Sequence, residues 1–286
     1  MCTKRLLPIF LISVMAPASM LWGQNTYVPD DNFEQALIDL GYDDTLDDYV
    51  LTANISGVTS LNVSQKEISN LTGIEAFTAL TELVCYNNYL TSLDLSANTA
   101  LNILEGNYNQ LTSLGVSANS ALTTLNCNHN QLTSLDVSAN SALTTLDVEG
   151  NQLTSLNVSS NTALTNLQCG ENELTSLDVS ANTALTSLSC YGNQLTSLDV
   201  SSNTALTILN CDSNQLIHLN MKNGVTDQLT TFDATGNSLT CIEVNAEDVD
   251  YATANWTSAN GNIDAGVGFS VVCAPEGYTY VPDDNF

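Results

Sequence analysis

Apolar residues recur along the middle of the chain with one fixed spacing. From Leu80 onward the pattern LTxLxCxxNxLTSLDVSxNxA returns every 21 residues. Self-similarity at such a period predicts a solenoid, because each coil can bury its apolar side chains only against the coils before and after it. The leucines that open the successive coils are Leu80, Leu101, Leu122, Leu143, Leu164, Leu185 and Leu206.

Within each coil, apolar and polar positions alternate over a short stretch. In the coil that opens with Leu122, the side chains of Leu125 and Cys127 are predicted to point inward, whereas Asn126 and His129 point outward. The LxxLxLxxNxL spacing is typical of leucine-rich repeats, in which every coil adds one strand to a parallel sheet. The sequence therefore predicts a mostly β leucine-rich repeat solenoid over residues 58–244.

The second half of each coil has the same LxxLxVxxN spacing, as in Leu132 to Asn140. No segment within a coil has ten or more residues with helical periodicity, and Ser, Thr, Asn and Val have low helix propensity. We therefore expect short strands on both walls of the solenoid. The asparagines that end the first strand are expected to bond backbone groups in the turn, and they are Asn88, Asn109, Asn130, Asn151, Asn172, Asn193 and Asn214.

Both ends of the solenoid are expected to be covered. Residues Pro29 to Leu40 begin with Asp and Asn and place apolar side chains at helical spacing, so they predict a short amphipathic helix within an N-terminal cap, residues 24–57. After the last coil, residues 245–275 are expected to form a C-terminal cap. These caps are needed because a terminal coil otherwise exposes its core and an unpaired strand edge.

The two termini indicate an exported protein built from modules. Residues 1–23 combine Lys4 and Arg5 with an apolar run, which is typical of a secretory signal peptide. Near the other end, Thr279 to Phe286 repeats Thr26 to Phe33 without a mismatch, so residues 276–286 are interpreted as a linker and the start of a second copy of the module. After residue 23, no stretch approaches the 18 apolar residues expected of a membrane-spanning helix.

Cys2 lies in the predicted signal peptide, and the other seven of the eight cysteines fall into two groups that predict different roles. Those outside the repeat, Cys241 and Cys273, are predicted to form a disulfide that closes the C-terminal cap. Five others take the same inward position in successive coils, where they replace a core leucine and are predicted to be buried free thiols, with metal binding or redox chemistry as the less favoured alternative. This thiol ladder consists of Cys85, Cys127, Cys169, Cys190 and Cys211.

The charge of the chain is strongly negative, with a formal net value of −27. After residue 23 the only strong bases are Lys66 and Lys222, against 31 acids. This argues against binding to nucleic acid or an anionic membrane, since both depend on Lys and Arg, although the acidity can simply serve solubility. Stacked aspartates could bind Ca²⁺, but other residues interrupt their row, so we assign no metal site. The row consists of Asp94, Asp136, Asp178 and Asp199.

Candidate binding residues are those that differ between coils, because positions that are identical in every coil serve the stack. They combine tyrosines with acidic side chains, which suits a carbohydrate or a basic protein surface, although each could also be an ordinary solvated residue. These residues are Tyr86, Glu105, Tyr108, His129, Asp147, Glu149, Glu171, Tyr191 and Asp212.

Enzyme chemistry finds little support in the sequence. The only histidines are His129 and His218, and Ser and Asp are so frequent that their proximity to either carries no information. The acidic pair Asp147 and Glu149 could imitate a glycosidase, but it is explained by variation between repeats. We therefore expect a non-catalytic protein without a cofactor.

The repeat LTTLNCNHNQLTSLDVSAN, with Cys in place of a core leucine, resembles the repeats of the internalin J-like members of the internalin family, which are Gram-positive surface adhesins. The resemblance covers Leu80 to about Asn237 and implies a helical N-terminal cap and a curved repeat domain whose concave face binds host or carbohydrate ligands. The segments TYVPDDNFEQALIDLGYDD and LTCIEV are similar to those of exported repeat proteins from Bacteroidetes, many of which use type IX secretion. The sequence departs from this resemblance in having neither an LPxTG wall-anchoring motif nor an immunoglobulin-like domain.

Three functions fit these observations. The favoured one is a secreted or cell-surface module, expected to be monomeric, that binds a protein or carbohydrate ligand through its concave face. The alternatives are a passive spacer in a tandem surface array and an ice- or mineral-binding face. The last is suggested by a row of threonines in register, which are Thr112, Thr133, Thr154, Thr175 and Thr196.

Overall fold

The computed structural model describes residues 24–273, so the predicted signal peptide and the predicted second copy of the cap lie outside the described residues. The helices are α1 (Asp31–Asp39), α2 (Thr52–Ile55) and α3 (Val249–Asn255), and short 3₁₀ turns lie at Ile74–Ala76, Thr226–Gln228, Ala246–Asp248 and Ser258–Asn260. The strands are β1 (Asn25–Tyr27), β2 (Tyr49–Leu51), β3 (Ser60–Asn62), β4 (Glu82–Val84), β5 (Ile103–Glu105), β6 (Thr124–Asn126), β7 (Thr145–Asp147), β8 (Asn166–Gln168), β9 (Ser187–Ser189), β10 (Ser197–Asp199), β11 (Ile208–Asn210), β12 (His218–Asn220), β13 (Thr231–Asp233), β14 (Cys241–Glu243) and β15 (Gly268–Ser270).

One wall of the solenoid is a parallel sheet of nine strands, here called the long sheet. It runs from β3 through β4 to β9 and continues with β11 and β13. Each strand pairs residue by residue with the next coil, so that Leu104 lies beside Leu125, and Leu125 beside Leu146. The middle residue of each strand is buried and its neighbours are more exposed, as the alternation in the sequence predicts. The parallel, mostly β leucine-rich repeat solenoid is thereby confirmed.

The opposite wall forms strands only towards its C-terminal end. There β10, β12, β14 and β15 make a second parallel sheet, while the earlier coils contribute a single bridge, between Asp94 and Gly115. In those coils buried asparagines carry part of the connection. Asn119, for example, donates from its side chain to the carbonyls of Leu95 and Asn98, one coil earlier. A helix does not form on this wall within residues 80–223.

The thiol ladder lies inside the solenoid. All five of its cysteines are buried and free of disulfides, at the position that follows each strand of the long sheet. Burial raises the pKa of the Cys85 and Cys190 thiols to about 12, so both stay protonated at neutral pH. In two coils Gly106 and Val148 occupy the same place. The thiols thus pack as small apolar side chains.

The N-terminal cap is tied to the first coil by one aspartate. The Asp30 carboxylate caps α1 by accepting from the backbone N–H of Asn32 and Phe33. Its second oxygen accepts from the backbone N–H of Ser69 and Asn70. The helix predicted from Pro29 to Leu40 therefore forms. The antiparallel β1–β2 pair beside it was not expected.

The C-terminal cap contains the predicted disulfide. Cys241 and Cys273 are bonded, with their Cα atoms 5.7 Å apart. Trp256, after α3, packs its ring 4.3 Å from the ring of Phe232 in the last strand of the long sheet. These contacts cover the end of the core. In residues 24–273, none of the helices has the length and hydropathy of a membrane span.

Two glycines differ in whether the backbone at their position can accept an alanine. A Cβ on Gly106 would meet its nearest atom at 3.8 Å, in ordinary contact, whereas Gly192 has a φ of +62° and would meet the Glu171 backbone N at 3.4 Å. Gly106→Ala should therefore raise the free energy of unfolding by about 0.5 to 1 kcal/mol, because alanine lowers the entropy of the unfolded chain. Gly192→Ala should lower it by about 1 kcal/mol. Urea unfolding measures both, and equal effects of the two substitutions would contradict this interpretation.

Candidate ligand-binding surface

The nine candidate binding residues all lie on the outer face of the long sheet or in the turn after its strands. None of them points into the core, and each side chain is at least partly exposed. We call the surface formed by this set the variable face. Its members are Tyr86, Glu105, Tyr108, His129, Asp147, Glu149, Glu171, Tyr191 and Asp212.

Every coil makes a left-handed turn at the third residue after its long-sheet strand. In this turn φ is +53° at Tyr108, +49° at His129 and +50° at Glu171. Glycine adopts this conformation freely, while other residues lose roughly 1 kcal/mol or more. Three coils do have glycine here, so the larger side chains in the other coils are not required by the fold. The positions with positive φ are Gln65, Asn87, Tyr108, His129, Gly150, Glu171, Gly192, Ser213 and Gly236.

Two aromatic rings of the variable face form a stack along these turns. The rings of Tyr108 and His129 lie 4.5 Å apart with an interplanar angle of 28°. The His129 ring occupies the space beside Gly150, where a Cβ would come within 2.5 Å of its Nδ1 atom. The glycine in one coil therefore makes room for the histidine of the coil before it. Tyr108 remains 53% exposed.

The side chain of Tyr191 extends across the whole of the preceding coil. Tyr191 lies against Gly170, where any Cβ would collide with the tyrosine ring. Its hydroxyl donates to Glu149 Oε1 at 2.8 Å, two coils away. Tyr191 is thus held by contacts within the solenoid, whereas Tyr108 is the more available of the two tyrosines.

The acidic side chains at the strand ends lack a positive partner. Burial raises the pKa of Glu105 and of Asp147, and neighbouring carboxylates raise both further. Each accepts from a carboxamide, since Asn126 Nδ2 donates to Glu105 at 2.9 Å and Asn128 Nδ2 to Asp147 at 2.7 Å, and Asp147 also accepts from the backbone N–H of Glu149 at 3.1 Å. In residues 24–273 the two lysines pair elsewhere, with Asp39 and Glu243. The variable face therefore presents uncompensated negative charge.

A cleft opens at one end of the variable face. Its volume is about 310 Å³, and it lies across the turns of the first three coils. Its two tyrosines are among the candidate binding residues, whereas its three carboxamides are not. Positive φ is common for Asn, so the asparagine after Tyr86 was the one available signal. The lining residues are Gln65, Tyr86, Asn87, Asn107 and Tyr108.

The predicted aspartate row has a local explanation. Asp136 accepts a hydrogen bond from the backbone N–H of Ser138, and Asp178 accepts one from Ser180 in the same way. Such turns favour Asp or Asn without any metal. In the described part of the chain, His, Cys, Asp and Glu form no group of three or more that could hold an ion.

The two histidines lie on opposite walls of the solenoid and have different surroundings. His129 stacks on Tyr108, and the nearby Cys127 thiol is buried in the core. His218 lies in β12, on the opposite wall. Of the paired acids, Asp147 accepts a hydrogen bond from Asn128 and Glu149 accepts one from Tyr191.

Comparison with known proteins supports the fold and part of the sequence-based resemblance. The functional domain of internalin J from Listeria monocytogenes, which includes a cysteine ladder, is 39% identical and superposes with a TM-score of 0.70. The match covers 78% of this chain and 52% of that one. The fold is an internalin-like leucine-rich repeat solenoid. A curated internalin J from the same species (serotype 4b, strain F2365) is 42% identical over 74 residues, which are 26% of this chain and 8% of that protein.

More distant internalin-like and receptor structures agree in fold alone. Internalin C2 from Listeria monocytogenes is 20% identical over 86% of this chain and 98% of its own length, with a TM-score of 0.62. The repeat ectodomain of a plant receptor kinase from Arabidopsis thaliana is 23% identical over 64% of this chain and 25% of that one, with a TM-score of 0.58. No family model matches the sequence. The chain spans about half of the solved internalin J domain and a small part of the curated protein, so the activity of the whole protein stays a proposal.

Asp147→Asn tests the negative charge of the variable face. A raised pKa in the folded state means that folding favours the protonated acid, so the stability contributed by Asp147 is present below its unfolded pKa and is lost as pH rises through the folded pKa. The variant should therefore be more stable than wild type at pH 7, by up to about 1 kcal/mol, and equal to it near pH 3. Denaturant unfolding at both pH values measures this.

Asp136→Asn is the matched control on the opposite wall. Hydrogen bonds from Ser138 lower the pKa of Asp136, so this substitution should not stabilise the protein at pH 7. Stabilisation of both variants to the same extent would show that net charge, rather than the environment of Asp147, is responsible.

Proposed function

We propose that the chain is a non-catalytic adhesion module of a secreted or cell-surface protein, which binds a protein or carbohydrate ligand through the variable face. The observation that carries this proposal is the left-handed turn. Tyr108, His129 and Glu171 stand where glycine would be less strained, so the fold alone does not account for their side chains. The likeness to internalin J supports the same class of function.

The domain organisation that we propose places this module in a longer architecture. A signal peptide at residues 1–23 would direct export, caps at 24–57 and 245–275 would enclose the repeats at 58–244, and residues 276–286 would begin a second copy. The repeated octapeptide Thr279 to Phe286 supports a tandem arrangement. Anchorage at the cell surface and use of type IX secretion remain part of this proposal.

The test removes the side chains of the turn without disturbing the fold. A triple variant, Tyr108→Gly with His129→Gly and Glu171→Gly, matches the glycines that other coils have at this position. Relief of backbone strain offsets the lost Tyr108–His129 stack, so stability should change by less than about 1 kcal/mol. Wild type and variant are then screened on a glycan array and a panel of extracellular proteins, where we expect the variant to lose at least tenfold in affinity for any ligand found.

A control variant with Asp136→Ala and Asp178→Ala changes the opposite wall. It should bind as wild type does. Binding that survives in the triple variant and is lost in the control would show that the variable face is the wrong surface. Absence of any ligand for the wild-type protein across both screens would favour the passive spacer.

A further inference from the structure

We propose that the cleft between Tyr86 and Tyr108 accepts an arginine side chain of a cationic polypeptide. This inference rests on the proposed function, because the cleft is part of the variable face. The inference specifies the chemical class of the ligand and the cleft that contacts its arginine.

The cleft is built on a fixed backbone. The N–H of Gln65 donates to the carbonyl of Tyr86, and the N–H of Asn87 to the carbonyl of Asn107, each at 3.0 Å. The N–H of Tyr108 donates to the carbonyl of Asn128, also at 3.0 Å. These bonds connect consecutive coils, so the turns that line the cleft are held in place before any ligand arrives. Little conformational entropy is then lost on binding.

The Tyr108 ring is also held in one orientation. It stacks on His129, which is itself seated against Gly150, yet it stays 53% exposed. A rigid, exposed aromatic ring is a favourable contact for a planar cation, because the negative face of the ring attracts positive charge. Tyr86, which is half-buried, supplies the second ring of the cleft.

The remaining lining is made of hydrogen-bond acceptors without formal charge. Gln65, Asn87 and Asn107 contribute carboxamides. The Oδ1 atom of Asn107 accepts no hydrogen bond in the described part of the chain, and because it is shielded from solvent this side chain has to rotate before a ligand can donate to it. A guanidinium group carries five N–H donors in one plane, so it can stack on a tyrosine and donate to such acceptors together.

Several kinds of ligand could contact tyrosine rings and carboxamides, and the acidic side chains of the adjacent strands favour a positively charged one. Glu105 precedes Asn107 by two residues along the extended chain, so both point to the outer side of the coil. Glu82 lies beside Ile103 in the adjacent strand, and no lysine or arginine in residues 24–273 neutralises either acid. The hydroxyl groups of a neutral sugar can donate to a carboxylate, but a sugar carries no positive charge for these acids to attract, and an anion is repelled by them. Arginine gains from their charge, and its planar group uses two rings better than the compact lysine ammonium does.

The experiment measures binding of a fluorescein-labelled peptide with two arginines in a Gly/Ser background, by anisotropy at about 150 mM salt, where long-range attraction is largely screened. The comparison peptide has citrulline in place of both arginines, which preserves the shape and removes the charge. Wild type should bind the arginine peptide at least about tenfold more tightly, as expected for a cation in contact with aromatic rings and a nearby carboxylate.

Matched variants locate the site. Tyr108→Leu should weaken binding of the arginine peptide about fivefold or more, whereas Tyr89→Leu, at a tyrosine that is also 53% exposed but lies outside the cleft, should leave it unchanged. Glu105→Gln should weaken it as well, and Asp178→Asn on the opposite wall should not. Unfolding curves of all four variants confirm that they are folded.

Three results would overturn the inference. The citrulline peptide could bind as well as the arginine peptide, or all four variants could weaken binding equally, which would indicate diffuse attraction. A neutral chitin oligosaccharide could instead bind in a Tyr108-dependent way while the arginine peptide does not. If the arginine peptide fails but a ligand from the screens is lost in the triple glycine variant, the proposed function stands and this inference alone falls.

Discussion

Buried asparagine side chains hold the coils of this solenoid in register. Asn151 is representative, because its Oδ1 accepts from the backbone N–H of Leu132 at 2.9 Å while its Nδ2 donates to the carbonyls of Cys127 and Val148. A single side chain thereby satisfies backbone groups of two coils. A second set of buried asparagines connects the coils on the opposite wall, where Asn161 donates to the carbonyls of Val137 and Asn140. Insertion of one residue within a coil would move the asparagine of that coil away from its partners in the coil before it.

This constraint separates the positions that build the stack from those that do not. Inward leucines and thiols fill a closely packed core, in which a change of side-chain size is poorly tolerated. The outer residues of the long sheet and its turns contact mainly each other and solvent. Variation is tolerated there, and the structure shows how it is coordinated between coils. Gly150 makes room for the ring of His129, and Gly170 for the ring of Tyr191. On the variable face, the residue type at one position therefore depends on the residue type in a neighbouring coil.

The sequence predicts what depends on periodicity. The strands of the long sheet, the buried cysteines, the helix after Asp30 and the disulfide between Cys241 and Cys273 follow from spacing and from residues that interrupt it. It does not predict contacts that depend on side-chain size in another coil, such as Tyr191 reaching Glu149. The left-handed turn was not predicted because its residue type changes from coil to coil, and Tyr108 and Glu171 are residue types that rarely adopt positive φ. Strands on the opposite wall were expected throughout, but asparagine side chains take over part of their connecting role in the earlier coils.

The most direct measurement is the stability of Asn151→Ala compared with Gln152→Ala, its exposed neighbour. If asparagine side chains hold the register, the first substitution leaves the Leu132 N–H buried without a partner and removes one of the two asparagine donors from each of the Cys127 and Val148 carbonyls. It should lower the free energy of unfolding by about 1 to 3 kcal/mol, while the second should change it by less than about 0.5 kcal/mol. Urea unfolding of the two variants against wild type provides the comparison. A loss below about 0.5 kcal/mol for Asn151→Ala would contradict the account, because the coils would then be held by their apolar core alone.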